Sequence, residues 1–297
     1  MMGSRGAQQA VGRGRRFAAA RFAAPLFETP SFAALLPALL LPALLLHASP
    51  WPATAGAAPE PPHPFDTPAL AFSVRPELMG APSAASVPAC PADDPGGRPD
   101  GAAPAHAAVV FAGTRPLPPD ATLACNLPNF DFAQLRVFSV ADYGRVFPAA
   151  ARALAELRRV LDDGVPPPDA RWPFVPYLEA FPAFGEHVAF LSFGNGRGVV
   201  FLTQWMIEPD AIGGHLVYVF QGLSADGTRY VLGLFPVQAR APLPPFPLPP
   251  DESAERTYAR FRTYAAGVAR RVGEAPAGDF TPDLGELLAL LRSLRIK

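Results

Sequence analysis

His187, Asp210 and His215 are of residue types that suit metal-assisted hydrolysis, because two imidazoles and a carboxylate can hold a divalent metal and activate water. Their spacing along the chain enforces nothing, so convergence depends on the elements that carry them. Strand-like runs are predicted over 187–193, 199–206 and 215–223. In an up-and-down meander the first strand's start, the second's end and the third's start share one end of the sheet. With strands about 4.8 Å apart, the two histidines are then expected roughly 10 Å apart at the backbone, with Glu186, Glu208 and Asp210 nearby. The competing reading is strand-end residues facing water, since no HxH or HExxH spacing is present. Ser192 and Ser224 lack the G-x-S-x-G elbow that exposes a nucleophile. Gly194-Asn195-Gly196-Arg197-Gly198 has the composition of a phosphate loop, but it joins two strands instead of opening a helix and therefore reads as a hairpin.

A recognition surface is the second possibility. Arg197, Gln204, Trp205 and Tyr218 lie on the predicted strands, and Trp172 and Tyr177 lie on a proline- and aromatic-rich connection over 171–182 that is expected to cover the sheet as a plug. Should one face be incompletely covered, these side chains are placed to line a groove for an apolar ligand or a peptide. Trp205 alternates with Phe201 and Val199, so core packing is its competing role. Burial of Trp205 decides between the two.

The elements that must position these groups are legible over 126–297. A strand is predicted over 135–140, then a helix capped by Asp142 that carries Val146, Ala150, Leu154, Leu157 and Leu161 until Gly164. Four strand-like runs follow, the last over 229–237. Gly194 to Gly198 joins the first two, and Ala225-Asp226-Gly227 joins the last two. Both alternating sets on the second run are apolar, Val199, Phe201 and Trp205 against Val200, Leu202 and Met206, which predicts a sheet covered on both faces. Tyr258, Phe261, Tyr264, Val268 and Val272 form the stripe of a further helix. Thr281-Pro282-Asp283, with Thr281 as N-cap, opens a last one over Leu284, Leu287, Leu288 and Leu291. The expected fold is α+β: a mostly antiparallel meander of about four to six strands flanked by about three helices in α/β/α-like layers.

Upstream, an arginine-rich leader (Arg5, Arg13, Arg15, Arg16, Arg21) runs into an apolar core over 32–46 and then small residues, the pattern of a cleavable export signal spanning 1–57. Pro37 and Pro42 interrupt that core, which is shorter than the roughly 20 apolar residues that span a bilayer, so cleavage is expected over permanent anchoring. Residues 58–125 are rich in Pro and Ala and read as a linker, with Leu70 to Val74 and Ala107 to Ala112 as possible edge strands. The only cysteines, Cys90 and Cys125, form an even pair in an exported chain and are expected to be disulfide-bonded. Net charge is -1 and no basic stripe with interleaved aromatics follows the leader, so nucleic acid is not expected as a partner. No cofactor is implied.

Over 126–297 the chain resembles a group of exported bacterial proteins of unassigned function, many of them lipid-anchored. The resemblance rests on Gly196-Arg197-Gly198-Val199-Val200-Phe201-Leu202-Thr203-Gln204-Trp205, on Tyr218-Val219-Phe220-Gln221-Gly222-Leu223-Ser224-Ala225-Asp226-Gly227, and on Phe235-Pro236-Val237. It implies no catalytic residue. The chain lacks the lipid-accepting cysteine after its signal, so tethering does not carry over. In shape the succession of hairpins and a C-terminal helix is similar to PsbP-type α/β/α folds.

Together these features predict an extracytoplasmic, non-enzymatic binding or interaction domain, secreted or in the cell envelope. Its expected partner is a peptide, an apolar ligand or an envelope protein, and membrane contact is expected only through residues 32–46 if they stay attached. The alternatives are a metal-assisted hydrolase at the sheet end and a structural envelope component tethered by an uncleaved N-terminus.

Overall fold

The chain adopts an α+β fold built from antiparallel sheets. The computed structural model describes residues 61–90, 102–113, 130–168, 171–176, 178, 180–247, 249 and 252–297, within the unit running from Ala57 to Lys297. The expected leader, Cys125 and Tyr177 lie outside the described residues. Among those described, no helix is long and apolar enough to cross a membrane.

Residues 58–125, expected to be a linker with possible edge strands at Leu70 to Val74 and Ala107 to Ala112, supply β1 (His63–Asp66), β2 (Leu70–Val74), the single turn α1 (Pro76–Met79), β3 (Pro82–Val87) and β4 (His106–Phe111) among their described residues. Next come β5 (Gln134–Ser139), α2 (Val140–Val146) and α3 (Pro148–Asp163). A strap then leads to β6 (Phe181–Pro182), β7 (Glu186–Phe193), β8 (Gly196–Thr203), β9 (Trp205–Met206), β10 (Leu216–Ser224) and β11 (Arg229–Ala239). The chain ends with α4 (Ala254–Glu274), β12 (Phe280–Thr281), α5 (Leu284–Ser293) and β13 (Arg295–Ile296).

Two antiparallel meanders share the main sheet, whose order is β3-β4-β5-β11-β10-β8-β7, with β12 added at the end of β11. The hairpins at Gly194 and at Ala225 form as expected. β4 is an interior strand, paired with β3 on one side and β5 on the other, so the larger sheet and its core extend well upstream of residue 126. Prolines obscured this because they fall at strand starts and in connections, where a missing N–H costs little.

Both faces of the sheet are covered, as the double apolar alternation predicts. Val200, Leu202, Phe220 and Phe235 pack with Phe261 and Val268 of α4 and Leu287 and Leu291 of α5. On the opposite face Val199, Phe201, Val219 and Leu232 pack with Leu154 and Leu157 of α3 and with Trp172 of the strap. Gly198 and Gly222 sit in register on β8 and β10. An added Cβ at either would meet the Phe220 ring, at 2.4 and 2.7 Å respectively, so these glycines leave room for a ring to lie against the sheet.

The helix boundaries refine the expected caps. Ser139 caps α2 by accepting from Asp142 N, whereas Asp142 sits in the first turn and pairs with Arg145. Pro148 separates α2 from α3, because its ring and missing N–H cannot continue the first helix but suit the first turn of the second. Asp283, not Thr281, caps α5 by accepting from Gly285 N and Glu286 N.

Asn195 explains the second residue of the Gly-rich hairpin. Its Nδ2 donates to Ile296 O at 2.7 Å while its Oδ1 accepts from Ile296 N at 2.9 Å, clamping β13. β13 in turn pairs with β2, so this turn ties both ends of the described chain to the sheet. Asn195→Ala removes two hydrogen bonds around a buried Ile296 and is expected to cost about 2 kcal/mol, read as a lower denaturant midpoint with an unchanged slope.

Among the described residues one charged side chain is fully buried. Arg136, on β5, donates from Nε to Gln134 Oε1 at 2.6 Å and from Nη1 to His106 Nε2 at 2.8 Å. His106 Nδ1 faces the Pro104 carbonyl at 2.8 Å, which fixes the proton on Nδ1 and leaves Nε2 as the acceptor. Burial first, with Arg136 adding to it against the opposing Pro104 bond, holds His106 down to about 4.

Candidate ligand-binding cavity

Trp172, Phe174, Phe201 and Trp205 come together with Leu178 and Pro182 around a cavity of about 230 Å³. Three separate elements supply them. Phe201 points from β8 toward the α3 face, Trp205 begins β9, and Trp172 and Phe174 descend from the strap. Trp172 stacks on Phe201 with centroids 4.5 Å apart and ring planes 7° apart. Trp205 lies 4.6 Å from Phe174 and stacks on Phe130 at 5.0 Å.

Two polar devices hold the walls in place. The Tyr230 hydroxyl lies 2.9 Å from the Val175 carbonyl and 3.0 Å from the Gln221 side-chain amide. Both contacts are satisfied when Gln221 presents an N–H to the Tyr230 oxygen and Tyr230 donates to Val175, which pins the strap to the sheet. Burial pushes the Tyr230 phenol well above its ordinary range, so it stays protonated for this role. Beyond β8, Gln204 Oε1 accepts from Gly213 N at 2.9 Å and His215 N at 3.3 Å, while its Nε2 donates to Ala211 O at 3.1 Å. Gln204 thus staples the loop that follows β9.

Trp172, one of the lining residues, carries a buried Nε1–H that has no hydrogen-bond partner among the described residues. Leaving a buried donor unsatisfied costs about 1 to 3 kcal/mol.

The residues expected to form one recognition surface divide. Trp172 and Trp205 share the cavity, and Trp205 is half-buried instead of falling into either the buried or the exposed case. Tyr218 faces the opposite side of the sheet, in the core beneath α4 and α5, where burial raises its phenol pKa. Arg197 pairs with Asp162 of α3 at the far end of β8, about 20 Å from Thr203 at 3.3 Å per residue. Gln204 is fully engaged in its loop. Phe174 and Phe201 were visible in the sequence as a plug aromatic and a strand residue, yet only the fold brings them to the tryptophans.

The metal-site arrangement does not assemble. Glu186 is level with Leu202 and Leu202 with Tyr218, which sets His187 level with Val219 and leaves His215 four residues away along β10. At about 3.3 Å per residue along the strands and 4.8 Å between them, the histidine backbones are roughly 16 Å apart. His187 Nε2 also donates to Val272 O at 2.9 Å, and Asp210 Oδ1 accepts from Ala211 N at 2.6 Å. Among the described residues, no group of three or more His, Cys, Asp or Glu could hold a metal ion. Ser224 is likewise occupied in its turn with Asp226, whose carboxyl is held down to about 2 by hydrogen bonds from Ser224 and Thr228. Cys90 is buried and bridges Ala103 through its backbone. Its expected partner, Cys125, lies outside the described residues.

Fold and site define a three-layer α+β protein with an aromatic-lined cavity under a strap. No protein-family model, curated protein or solved structure matches the chain.

Proposed function

We propose that the protein is an exported, non-enzymatic binding module whose ligand seats an apolar, ring-sized group in the aromatic cavity and accepts a hydrogen bond from Trp172 Nε1–H. The observation that carries this reading is a cavity lined by rings and aliphatic groups, one of whose lining residues, Trp172, keeps a buried N–H unpaired among the described residues. Cavity size narrows the ligand. Apolar protein cavities of about 150 Å³ bind benzene, so 230 Å³ suits one side chain and not a drug-sized molecule. An unpaired donor favours a group carrying a carbonyl over a pure hydrocarbon. A peptide that presents an aromatic or proline residue meets both demands, since its backbone carbonyl adjoins its apolar group. Export is supported by the basic leader and interrupted apolar core at residues 1–57.

The chain contains three tryptophans, and Trp51 falls before the expected cleavage point. A chain spanning 58–297 therefore reports on the cavity alone. Titration with N-acetyl-phenylalanine amide or N-acetyl-proline amide is expected to change tryptophan emission saturably, with tighter binding than acceptor-free benzene. Ala180 also lines the cavity, and Ala180→Leu fills it without removing a ring. That variant is expected to bind at least tenfold more weakly while melting cooperatively. Unchanged emission with every probe, or unchanged binding by Ala180→Leu, contradicts the proposal.

A further inference from the structure

On α4, Phe261, Ala265, Val268 and Val272 face the core. At 100° per residue, Thr263, Gly267 and Arg270 fall on the opposite, solvent side and Arg271 on its flank. There a groove of about 580 Å³ opens between the helix and Pro244.

The groove has fixed walls and free charge. Arg260 is held by Glu252 through Nε and Nη2, donates from Nη1 to Pro247 O at 2.6 Å, and covers the Phe246 ring at 4.5 Å. Tyr264 accepts from Ile212 N and donates to Pro244 O, both at 2.9 Å, which locks the loop wall to the helix. The side chains of Arg270 and Arg271 are exposed and make no hydrogen bond or ion pair among the described residues. Gly267 precedes them by three and four residues, and a Cβ there would meet nothing within 4 Å. The floor between the two guanidiniums is therefore open, with the Thr263 hydroxyl one turn further back.

From this arrangement we infer that the outer face of α4 is an oxyanion site, taking the phosphate group of an extended ligand between Arg270 and Arg271 above Gly267. Guanidinium forks match tetrahedral oxyanions, and with Arg260 paired to Glu252 the groove lining keeps Arg270 and Arg271 against Glu274, a net positive charge. Arg260, already neutralised by Glu252, shapes the wall and leaves binding to the other two. Glu274 lies one turn beyond them and opposes the anion, which limits affinity for free phosphate. The groove exceeds the size of an ion, so the rest of the ligand extends toward Tyr264 and Pro244.

The test is an amide-resolved NMR titration of chain 58–297 with sodium phosphate, against sodium chloride at matched ionic strength. Saturable shifts confined to 263–274 are expected with phosphate, and binding at least tenfold weaker in the Arg270→Gln/Arg271→Gln variant. Both arginines are exposed, so this variant should keep its melting temperature. Glu274→Gln is expected to tighten binding two- to threefold. Co-sedimentation with phosphatidylcholine vesicles, with and without phosphatidylglycerol, identifies the source of the phosphate. Retention by anionic vesicles that the double variant loses assigns a lipid headgroup, while free-phosphate binding without vesicle retention assigns a soluble ligand. Equal responses to phosphate and chloride, or equal binding by wild type and double variant, overturn the inference.

Discussion

A chain beginning at Asn126 is expected not to fold. The cut removes β4 from its place beside β5, exposing the ladder groups of an interior strand, and removes β2, which pairs with β13. It also strips Leu70, Phe72, Val74, Met79, Val109 and Phe111 from the core beneath α4 and α5. Six such side chains at roughly 1.5 to 3 kcal/mol each amount to on the order of 10 kcal/mol, comparable to the whole net stability of a domain. Circular dichroism of residues 126–297 should therefore show no cooperative melt, whereas residues 58–297 should melt in one transition. A cooperative melt of the shorter chain would falsify this view of the N-terminal strands.

The second large effect concerns Arg136 and His106. Arg136→Ala leaves Gln134 Oε1 and His106 Nε2 without their buried donor and opens a cavity, so a loss of about 4 kcal/mol is expected by chemical denaturation. The same pair predicts an acid sensitivity. His106 titrates near 4 in the folded chain and near 6.5 when unfolded. Between those values the unfolded chain takes up a proton that the folded chain refuses. Stability is therefore full above pH 6.5 and falls as pH drops toward 4, by about 3 kcal/mol in all. His106→Gln should flatten that part of the stability profile. If the slope between pH 6.5 and 4 survives the substitution, His106 is not its source.

What could be read in advance followed from local periodicity. The helical spacing of Leu154, Leu157 and Leu161, the glycine-rich hairpin and the double alternation along β8 each reflect contacts within a few residues, and each formed. Local chemistry also explains why the caps moved by two or three residues, since several polar residues near a helix start can accept from its first amides. β1 and β3 escaped notice because a Pro/Ala-rich sequence shows little contrast between faces, whereas β2 and β4 fall on the two apolar runs expected as edge strands, β4 proving interior. The His106 to Arg136 bond joins residues thirty apart on adjacent strands, and no spacing rule points to it.

The site divides in the same way. Trp172 and Trp205 could be picked out by residue type, and the strap over 171–182 was legible as a plug. Their meeting with Phe174 and Phe201 depends on where the strap crosses the sheet. Register decided the rest: it separates His187 from His215 and, through side-chain alternation, sends Tyr218 to the opposite face from Trp205.

The proposed function turns on whether the Trp172 N–H takes up an acceptor when a ligand enters the aromatic cavity. Nitrogen-15 correlation spectra of chain 58–297 contain two indole N–H signals, one from each cavity tryptophan. On titration with N-acetyl-phenylalanine amide, the Trp172 signal is expected to move downfield and saturate as its proton becomes hydrogen-bonded, and Trp205→Ala should abolish the movement. A Trp172 signal that stays in place at probe saturation, or that moves equally in Trp205→Ala, would contradict the account.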